Sequence, residues 1–106
     1  MDSLALQKVL SRKIPISKAL GVLVLRVTEA DLHLKLPLLE NQNHKGTLFG
    51  GSLYAGSALA CYGLFLSGLA EQGLNTQNIV IAEGSVKYMR PVTSDATVQA
   101  AWPSPE

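Results

Sequence analysis

The chain has 106 residues and a formal net charge of +1, and 47% of its residues are hydrophobic while 16% are charged. This length fits one domain, residues 1–106, and this composition excludes a chain that is disordered throughout. The small net charge argues against nucleic-acid binding, no Cys and His cluster has metal-ligand spacing, and the lone Cys61 excludes an internal disulfide and fits a reducing, cytoplasmic compartment.

The first half of the chain predicts a helix followed by a hairpin. Apolar residues recur at helical intervals over residues 3–12, with Ser3 as the expected N-cap, and one more turn is expected at residues 17–20. Branched residues over residues 22–28 predict a largely buried strand. Leucines alternate with polar residues over residues 32–36, which predicts a half-buried strand. The short connection between the two strands indicates an antiparallel hairpin. Residues 37–45 are expected to form a loop.

The most unusual stretch is residues 46–71, which carries no charge between Lys45 and Glu71. Apolar residues fall on every side of its helical wheel, so it predicts a long helix over residues 48–70 that other parts of the protein enclose. An uncharged run of roughly 25 residues could also cross a bilayer. The flanking strands would then have no sheet partners, so we favour a core helix and expect no membrane contact.

Two more strands are predicted after the helix. Residues 79–90 form the first, with Gly84 as a bend and Pro91 as its end, and residues 96–102 form the second. The element order is therefore helix, strand, strand, long helix, strand, strand. This order predicts an α+β fold in which an antiparallel sheet wraps around one long apolar helix.

Two motifs resemble those of hotdog-fold thioesterases. Residues 43–54 read Asn-His-Lys-Gly-Thr-Leu-Phe-Gly-Gly-Ser-Leu-Tyr, and residues 85–95 read Ser-Val-Lys-Tyr-Met-Arg-Pro-Val-Thr-Ser-Asp. The resemblance is closest to the thioesterase domain at the C-terminus of YiiD-type acetyltransferases. It implies a hotdog-like fold, hydrolysis of acyl-CoA or acyl-ACP thioesters without a metal or other cofactor, and paired subunits. The family's sheet has two more strands after the point where this chain stops, so we expect either an oligomer that covers the helix or a sheet that is paired differently from the family's.

The resemblance also implies which residues carry the chemistry. Gly50 and Gly51 would offer backbone N–H groups to the thioester carbonyl at the start of the helix. Asn43 would hold the thioester or the attacking water, and His44 is a general base by residue type. Glu83 is a second candidate base, since it is the one acid inside an apolar run. The structural alternatives stay open: close helix packing for the glycines, a turn for Asn43, and solvated side chains for His44 and Glu83.

Five further residues are candidates for binding the substrate. Phe49, Leu53 and Tyr54 would line an apolar pocket for a fatty or aromatic acyl group. Lys87 and Arg90 could meet the phosphates of coenzyme A, although two cations on a strand rim are also ordinary surface residues.

The sequence departs from the family pattern at two positions. Many relatives have a histidine immediately before the glycine pair, where this chain has Phe49, and a carboxylate about two turns into the helix, where it has Ala58. These departures favour an alternative function, a module that binds an acyl thioester or only dimerises. An assay of acyl-CoA hydrolysis distinguishes the two functions.

Overall fold

A computed structural model describes residues 1–76 and 78–103 of the chain. In chain order its elements are helices α1 (Ser3–Lys13) and α2 (Ile16–Leu20), strands β1 (Leu23–Val27) and β2 (Asp31–Leu36), helices α3 (Leu38–Asn41) and α4 (Gly50–Glu71), and strand β3 (Ala96–Ala101). The predicted first helix, hairpin, long helix and final strand are therefore present. The one-turn helix α3 replaces part of the loop expected at residues 37–45.

The N-cap of α1 lies one residue earlier than expected. The Asp2 carboxylate, and not the Ser3 hydroxyl, accepts a 2.8 Å hydrogen bond from the Ala5 amide. A carboxylate at this end also interacts favourably with the helix dipole, which a serine cannot do. Leu6 and Leu10 lie on the inner side of α1 and are fully buried, as helical spacing predicts.

The described residues form a three-stranded antiparallel sheet in the order β1-β2-β3. Strands β2 and β3 pair without interruption from Asp31 opposite Ala101 to Leu36 opposite Ala96, whereas β1 shifts register between Val24 and Arg26. The period-two pattern of β2 places three leucines on one face, and these are fully buried: Leu32, Leu34 and Leu36.

Helix α4 lies against this leucine face, and two of its glycines make the close approach possible. A Cβ atom on Gly63 would lie 3.0 Å from Leu32 Cδ1, and one on Gly56 would lie 3.4 Å from Leu36 Cδ2. The helix axis can therefore come nearer to the sheet than larger residues would allow.

The sheet covers only one side of α4. On the other side Tyr54, Cys61 and Phe65 remain exposed, so the described residues of one chain leave this side of the helix uncovered. By length and composition α4 could cross a membrane, and 39% of its most apolar window is buried inside this fold. Its uniform hydrophobicity therefore reflects a buried inner side together with an apolar outer side.

The strand predicted over residues 79–90 is absent, which corrects the sequence interpretation. These residues adopt no regular secondary structure and are mostly exposed, although they follow the outer side of α4. A strand needs a neighbour for its amide and carbonyl groups. Strand β3 pairs with β2 on one edge, and no described strand pairs with its other edge. The branched residues of this segment therefore have strand propensity without a sheet to join.

A hydrogen-bonded cluster fixes the turn between β1 and β2 around the buried Asp31. The Thr28 hydroxyl donates to this carboxylate over 2.8 Å, and the Arg26 guanidinium lies 2.9 Å and the His33 ring 3.2 Å from it. The Thr28 hydrogen bond, with smaller contributions from Arg26 and His33, lowers the pKa of Asp31 to about 2, against the opposing effect of desolvation. The turn therefore contains a carboxylate that stays ionised in mildly acidic solution.

Candidate active site

Helix α4 begins at Gly50 without a side-chain cap. Phe49 is the N-cap residue, its backbone is extended, and its side chain cannot accept a hydrogen bond. The first helical hydrogen bond at this end runs from the Leu53 amide to the Phe49 carbonyl over 3.1 Å. The amide groups of the first turn precede that bond and have no intrahelical acceptor. They can therefore donate to an electron-rich ligand atom.

The tip of α4, residues 48–51, is fixed from both sides by backbone hydrogen bonds. The Phe49 amide donates to the Asn41 carbonyl over 2.8 Å, and the Leu48 amide donates to the Val92 carbonyl over 2.9 Å. Since both neighbouring segments hold the tip, its free amides keep a fixed direction, as a preorganised site requires.

Asn41 is a positioning residue that sequence reasoning missed. Its side chain is 3% exposed, and its Nδ2 donates to the Leu20 carbonyl over 2.7 Å and to the Pro37 carbonyl over 2.8 Å. The first bond links α2 to α3, the helix that ends at Asn41, and the second lies within α3. An asparagine in a polar stretch is also typical of a solvated turn, so the sequence offered no signal that separates the two roles.

Two aromatic rings flank the glycine pair. The Phe49 ring lies over Gly51, where an added Cβ would be 2.6 Å from its Cε2 atom. A Cβ atom added to Gly50 would lie 3.4 Å from the Tyr88 ring. The Tyr88 hydroxyl donates a hydrogen bond to the Gly50 carbonyl over 2.8 Å. The lack of side chains thus lets both rings approach the backbone. Tyr88 was not predicted as a site residue, because its only signal was an aromatic position in a presumed strand.

Asn43 uses its side chain to order its own loop. Its Oδ1 accepts from the Lys45 amide over 2.9 Å and from the Thr47 amide over 3.1 Å, and its Nδ2 donates to the Thr47 hydroxyl over 2.8 Å. This is the turn role that the sequence left open beside the catalytic one. The neighbouring His44 is exposed in the same turn.

Glu83 lies beside the second turn of α4. A pocket of about 190 Å³ brings it together with Tyr54, Ser57 and Ala58, and the Tyr54 hydroxyl is in close contact with Gly84. Glu83 thus lines the same pocket as Ala58, the helix position at which the resemblance leads one to expect an acid. Glu83 is exposed, so burial does not provide the low-dielectric surroundings that would make it a stronger base.

The remaining candidates are spread more widely. Leu53 is half-buried and packs against the hydrophobic core, whereas the exposed Lys87 and Arg90 do not line the Glu83 pocket. Neither cation belongs to the ion pairs found among residues 1–76 and 78–103. The structure thus brings Phe49, Gly50 and Gly51 together at the tip and Tyr54 and Glu83 in the adjacent pocket.

A protein-family model decides the relationship that the motifs indicated. The family described as "Putative thioesterase (yiiD_Cterm)" matches residues 3–106. The chain belongs to this family. Both motifs lie within the residues matched by the yiiD C-terminal family, one at the helix tip and the other on the segment after α4. The hotdog-like α+β fold is therefore confirmed, and a thioester substrate is the class that the family suggests.

Solved structures show the same fold. A putative thioesterase from Shewanella oneidensis is 29% identical with a TM-score of 0.89, and the match covers 95% of this chain and 74% of that one. A protein of unknown function from Chlorobaculum tepidum TLS is 33% identical with a TM-score of 0.89, covering 96% and 62%. A Pseudomonas aeruginosa protein of unknown function, described as a probable thioesterase, is 20% identical with a TM-score of 0.80, covering 97% and 67%, and supports the fold alone.

The chain spans between 62% and 74% of the lengths of these three structures. No curated protein matches it. Family and fold therefore rest on the family model and the solved structures, while substrate and mechanism have to be argued from the chain's own residues.

Proposed function

We propose that this chain hydrolyses acyl thioesters of coenzyme A or acyl carrier protein, by direct attack of water and without a cofactor. The uncapped tip of α4 carries the proposal, since its free first-turn amides point out of a helix that two neighbouring segments hold in place. Membership of a thioesterase family makes a thioester carbonyl the natural ligand for these amides.

In the proposed reaction the thioester oxygen accepts hydrogen bonds from the Gly50 and Gly51 amides. Water adds to the carbonyl carbon, and the oxygen becomes an oxyanion that the two amides and the helix dipole stabilise. Collapse of this intermediate breaks the C–S bond and releases the acid and the thiol. One preorganised donor of this kind contributes about 3 kcal/mol to transition-state stabilisation.

Glu83 is the proposed general base. It would take a proton from the attacking water and give it to the leaving thiolate when the C–S bond breaks, so that the carboxylate is regenerated over the two steps. Its place beside Ala58 supports this role. His44 is the second candidate base, and Asn43 supports the site by ordering the loop that precedes the tip.

The substrate would lie along the exposed side of α4. Phe49, Leu53 and Tyr54 would contact the acyl group, and Lys87 and Arg90 would meet the phosphates of the carrier. The exposed aromatic residues on this side support a homo-oligomer, because a monomer would leave them in water. Light scattering tests the assembly, and a monodisperse monomer would contradict it.

The decisive experiment removes one amide without changing the fold. Gly50 is the first helical residue and follows an extended residue, so proline is tolerated there although it lacks the N–H group. Gly50→Ala adds a Cβ but keeps the donor. We expect Gly50→Pro to lower kcat for an acyl-CoA substrate about 100-fold relative to Gly50→Ala. Equal kcat values for the two variants would overturn the oxyanion assignment.

The base is tested by Glu83→Gln, with Glu40→Gln as a surface control. We expect the first variant to lose about 100-fold in kcat and the second to keep wild-type activity. The non-catalytic alternative has its own support, because Phe49 and Ala58 stand where many relatives have a histidine and an acid. Saturable binding of acyl-CoA by the wild-type protein without any turnover would select that binding module.

A further inference from the structure

A separate pocket lies at the C-terminal end of α4, at the opposite end of the helix from the tip. Its volume is about 310 Å³, at the lower end of the range of pockets that bind small molecules. The last turns of α4, the turn between β1 and β2, and Trp102 after β3 form its walls, and Val27 and Leu64 make part of the lining apolar. The hydrolysis proposed above uses none of the described residues that line this end pocket.

A buried hydroxyl in this pocket points to a polar ligand. Ser67 is 4% exposed and lines the end pocket. No hydrogen bond within residues 1–76 and 78–103 involves its hydroxyl, whereas the Ser57 hydroxyl on the same helix donates to the Leu53 carbonyl over 2.8 Å. Every fully enclosed side-chain N or O atom in these two ranges has a partner, so the Ser67 oxygen keeps its contact with the pocket. Buried hydroxyls normally have a partner, and a polar atom of a ligand would provide one here.

The charges around the pocket select a cation. Glu29 and Glu71 both line it, and the Met1 ammonium lies 2.9 Å from the Glu71 carboxylate. Glu29 belongs to none of the ion pairs found in the described part of the chain. The last turn of α4 contains no basic residue, so the negative end of the helix dipole adds to the field of the two carboxylates. The end pocket therefore has one carboxylate available to a positively charged ligand.

Trp102 gives the pocket an aromatic wall that packing holds in place. Its amide donates to the Ala30 carbonyl over 3.3 Å, and its ring centroid lies 5.5 Å from that of Phe65. A Cβ atom on Gly68 would lie 2.8 Å from Trp102 Cζ2, so the missing side chain lets the indole lie close to the helix. Among aromatic side chains, the indole attracts cations most strongly. Its presence beside Glu29 therefore favours the same class of ligand as the charges do.

We propose that the end pocket binds a small primary ammonium ligand with a short apolar body, such as an alkylamine. Its N–H groups donate to the Ser67 hydroxyl oxygen and to the Glu29 carboxylate, and its apolar body lies against Trp102. An organic cation suits the pocket better than a metal ion, because no group of three His, Cys, Asp or Glu side chains within the described ranges could hold a metal. This inference goes beyond the proposed hydrolysis, since binding an amine requires neither the helix tip nor turnover.

The test uses the fluorescence of Trp102, which is the only tryptophan of the chain. The protein is titrated with butylammonium and with its uncharged analogue, butanol. We expect a saturable change with butylammonium and an affinity for butanol that is lower by about fivefold or more, since butanol lacks the charge. Gly50→Pro should bind butylammonium as the wild type does even where it has lost hydrolysis, so failure of the hydrolysis proposal and failure of this one are distinguishable.

Two variants locate the bound ammonium. Glu29→Gln should weaken butylammonium binding about fivefold and leave butanol binding unchanged, because an exposed carboxylate is removed. Glu40→Gln is its matched control, since Glu40 is an exposed glutamate of α3 that does not line the pocket. Ser67→Ala should weaken butylammonium binding about tenfold, the loss of one hydrogen bond to a charged group. Ser57→Ala is the control on the same helix, because the Ser57 hydroxyl already has an acceptor.

Three results would overturn the proposal. The first is a wild-type protein whose fluorescence shows no saturable response to butylammonium. The second is equal affinity for butylammonium and butanol, which would leave the carboxylates without a role in binding. The third is equal binding of butylammonium by Glu29→Gln and Glu40→Gln. Because Glu29 is exposed, its variant folds as the wild type does, and this comparison holds even if Ser67→Ala is destabilised.

Discussion

The Tyr88 hydroxyl donates a hydrogen bond to the Gly50 carbonyl over 2.8 Å, between two residues 38 positions apart in the chain. The bond fastens the segment that follows α4 to the residue at which α4 begins. Since no described strand pairs with this segment, its position depends on such contacts with the helix. The shape of the proposed site therefore depends in part on this exposed tyrosine.

Removing this hydroxyl should loosen the segment and leave the core intact. We expect Tyr88→Phe to weaken the docking of residues 79–90 by about 0.5–1.5 kcal/mol, the usual net value of one hydrogen bond. Hydrogen exchange would then be faster across those residues and unchanged in β2. Tyr62→Phe, on the middle of α4, serves as the control, and equal exchange in both variants would show that the Tyr88 bond holds nothing in place.

Asn41 should matter for stability more than its polar character suggests. We expect Asn41→Leu to lower the free energy of unfolding by about 1–3 kcal/mol, because the Leu20 and Pro37 carbonyls lose their side-chain donor. The exposed Gln42 makes only a 3.4 Å hydrogen bond, so Gln42→Leu should change stability by less than about 0.5 kcal/mol. Urea unfolding measures both variants, and similar values for the two would refute the role of Asn41.

The two glycines on the inner side of α4 should respond differently to alanine. At Gly63 the new methyl would lie 3.0 Å from Leu32 and 3.2 Å from Leu6. We therefore expect overpacking in Gly63→Ala to lower the free energy of unfolding by about 1–2 kcal/mol. At Gly56 the atom nearest to the new methyl is 3.4 Å away, so the higher helix propensity of alanine should dominate. We expect Gly56→Ala to raise the free energy of unfolding by up to about 1 kcal/mol. Thermal unfolding of both variants checks the order, and a more stable Gly63→Ala would contradict it.

The turn cluster should make stability depend on pH at the acidic end. The folded-state pKa of Asp31 is lowered to about 2, and an unfolded aspartate has a pKa of about 3.9. The Asp31 carboxylate therefore contributes its full stabilisation of the fold when the pH is above the pKa of the unfolded state. This stabilisation is lost as the pH falls through the folded-state pKa of about 2. We expect Asp31→Asn to have a lower Tm than the wild type at neutral pH and the same Tm near pH 1. The exposed Glu29→Gln controls for the loss of a surface charge, and a Tm difference that persists at the lowest pH would exclude the carboxylate as its cause.

The sequence predicted those elements whose signal is local. Helical spacing of Leu6 and Leu10, alternation of leucines in β2 and the uncharged run of α4 each identify an element without reference to the rest of the chain. The family resemblance added the helix tip. The candidate roles of Asn43, His44 and Glu83 stay predictions, which the variants above test.

What the sequence could not predict depends on distant partners. Residues 79–90 have strand propensity, but a strand also needs a neighbour, and propensity does not show whether one is present. The role of Asn41 depends on the Leu20 carbonyl, which folding brings near, and the position of Tyr88 depends on a glycine without a side chain. Each of these features comes from contacts between residues that are far apart in sequence.

The outer edge of β3 has a consequence for handling the protein. Its six residues, Ala-Thr-Val-Gln-Ala-Ala, include no lysine and no proline, the residues that natural sheets use to discourage unwanted strand addition. Concentrated samples should therefore be prone to edge-to-edge polymerisation. A single lysine in place of Gln99 should delay the appearance of thioflavin-positive fibrils while the rest of the sheet stays folded.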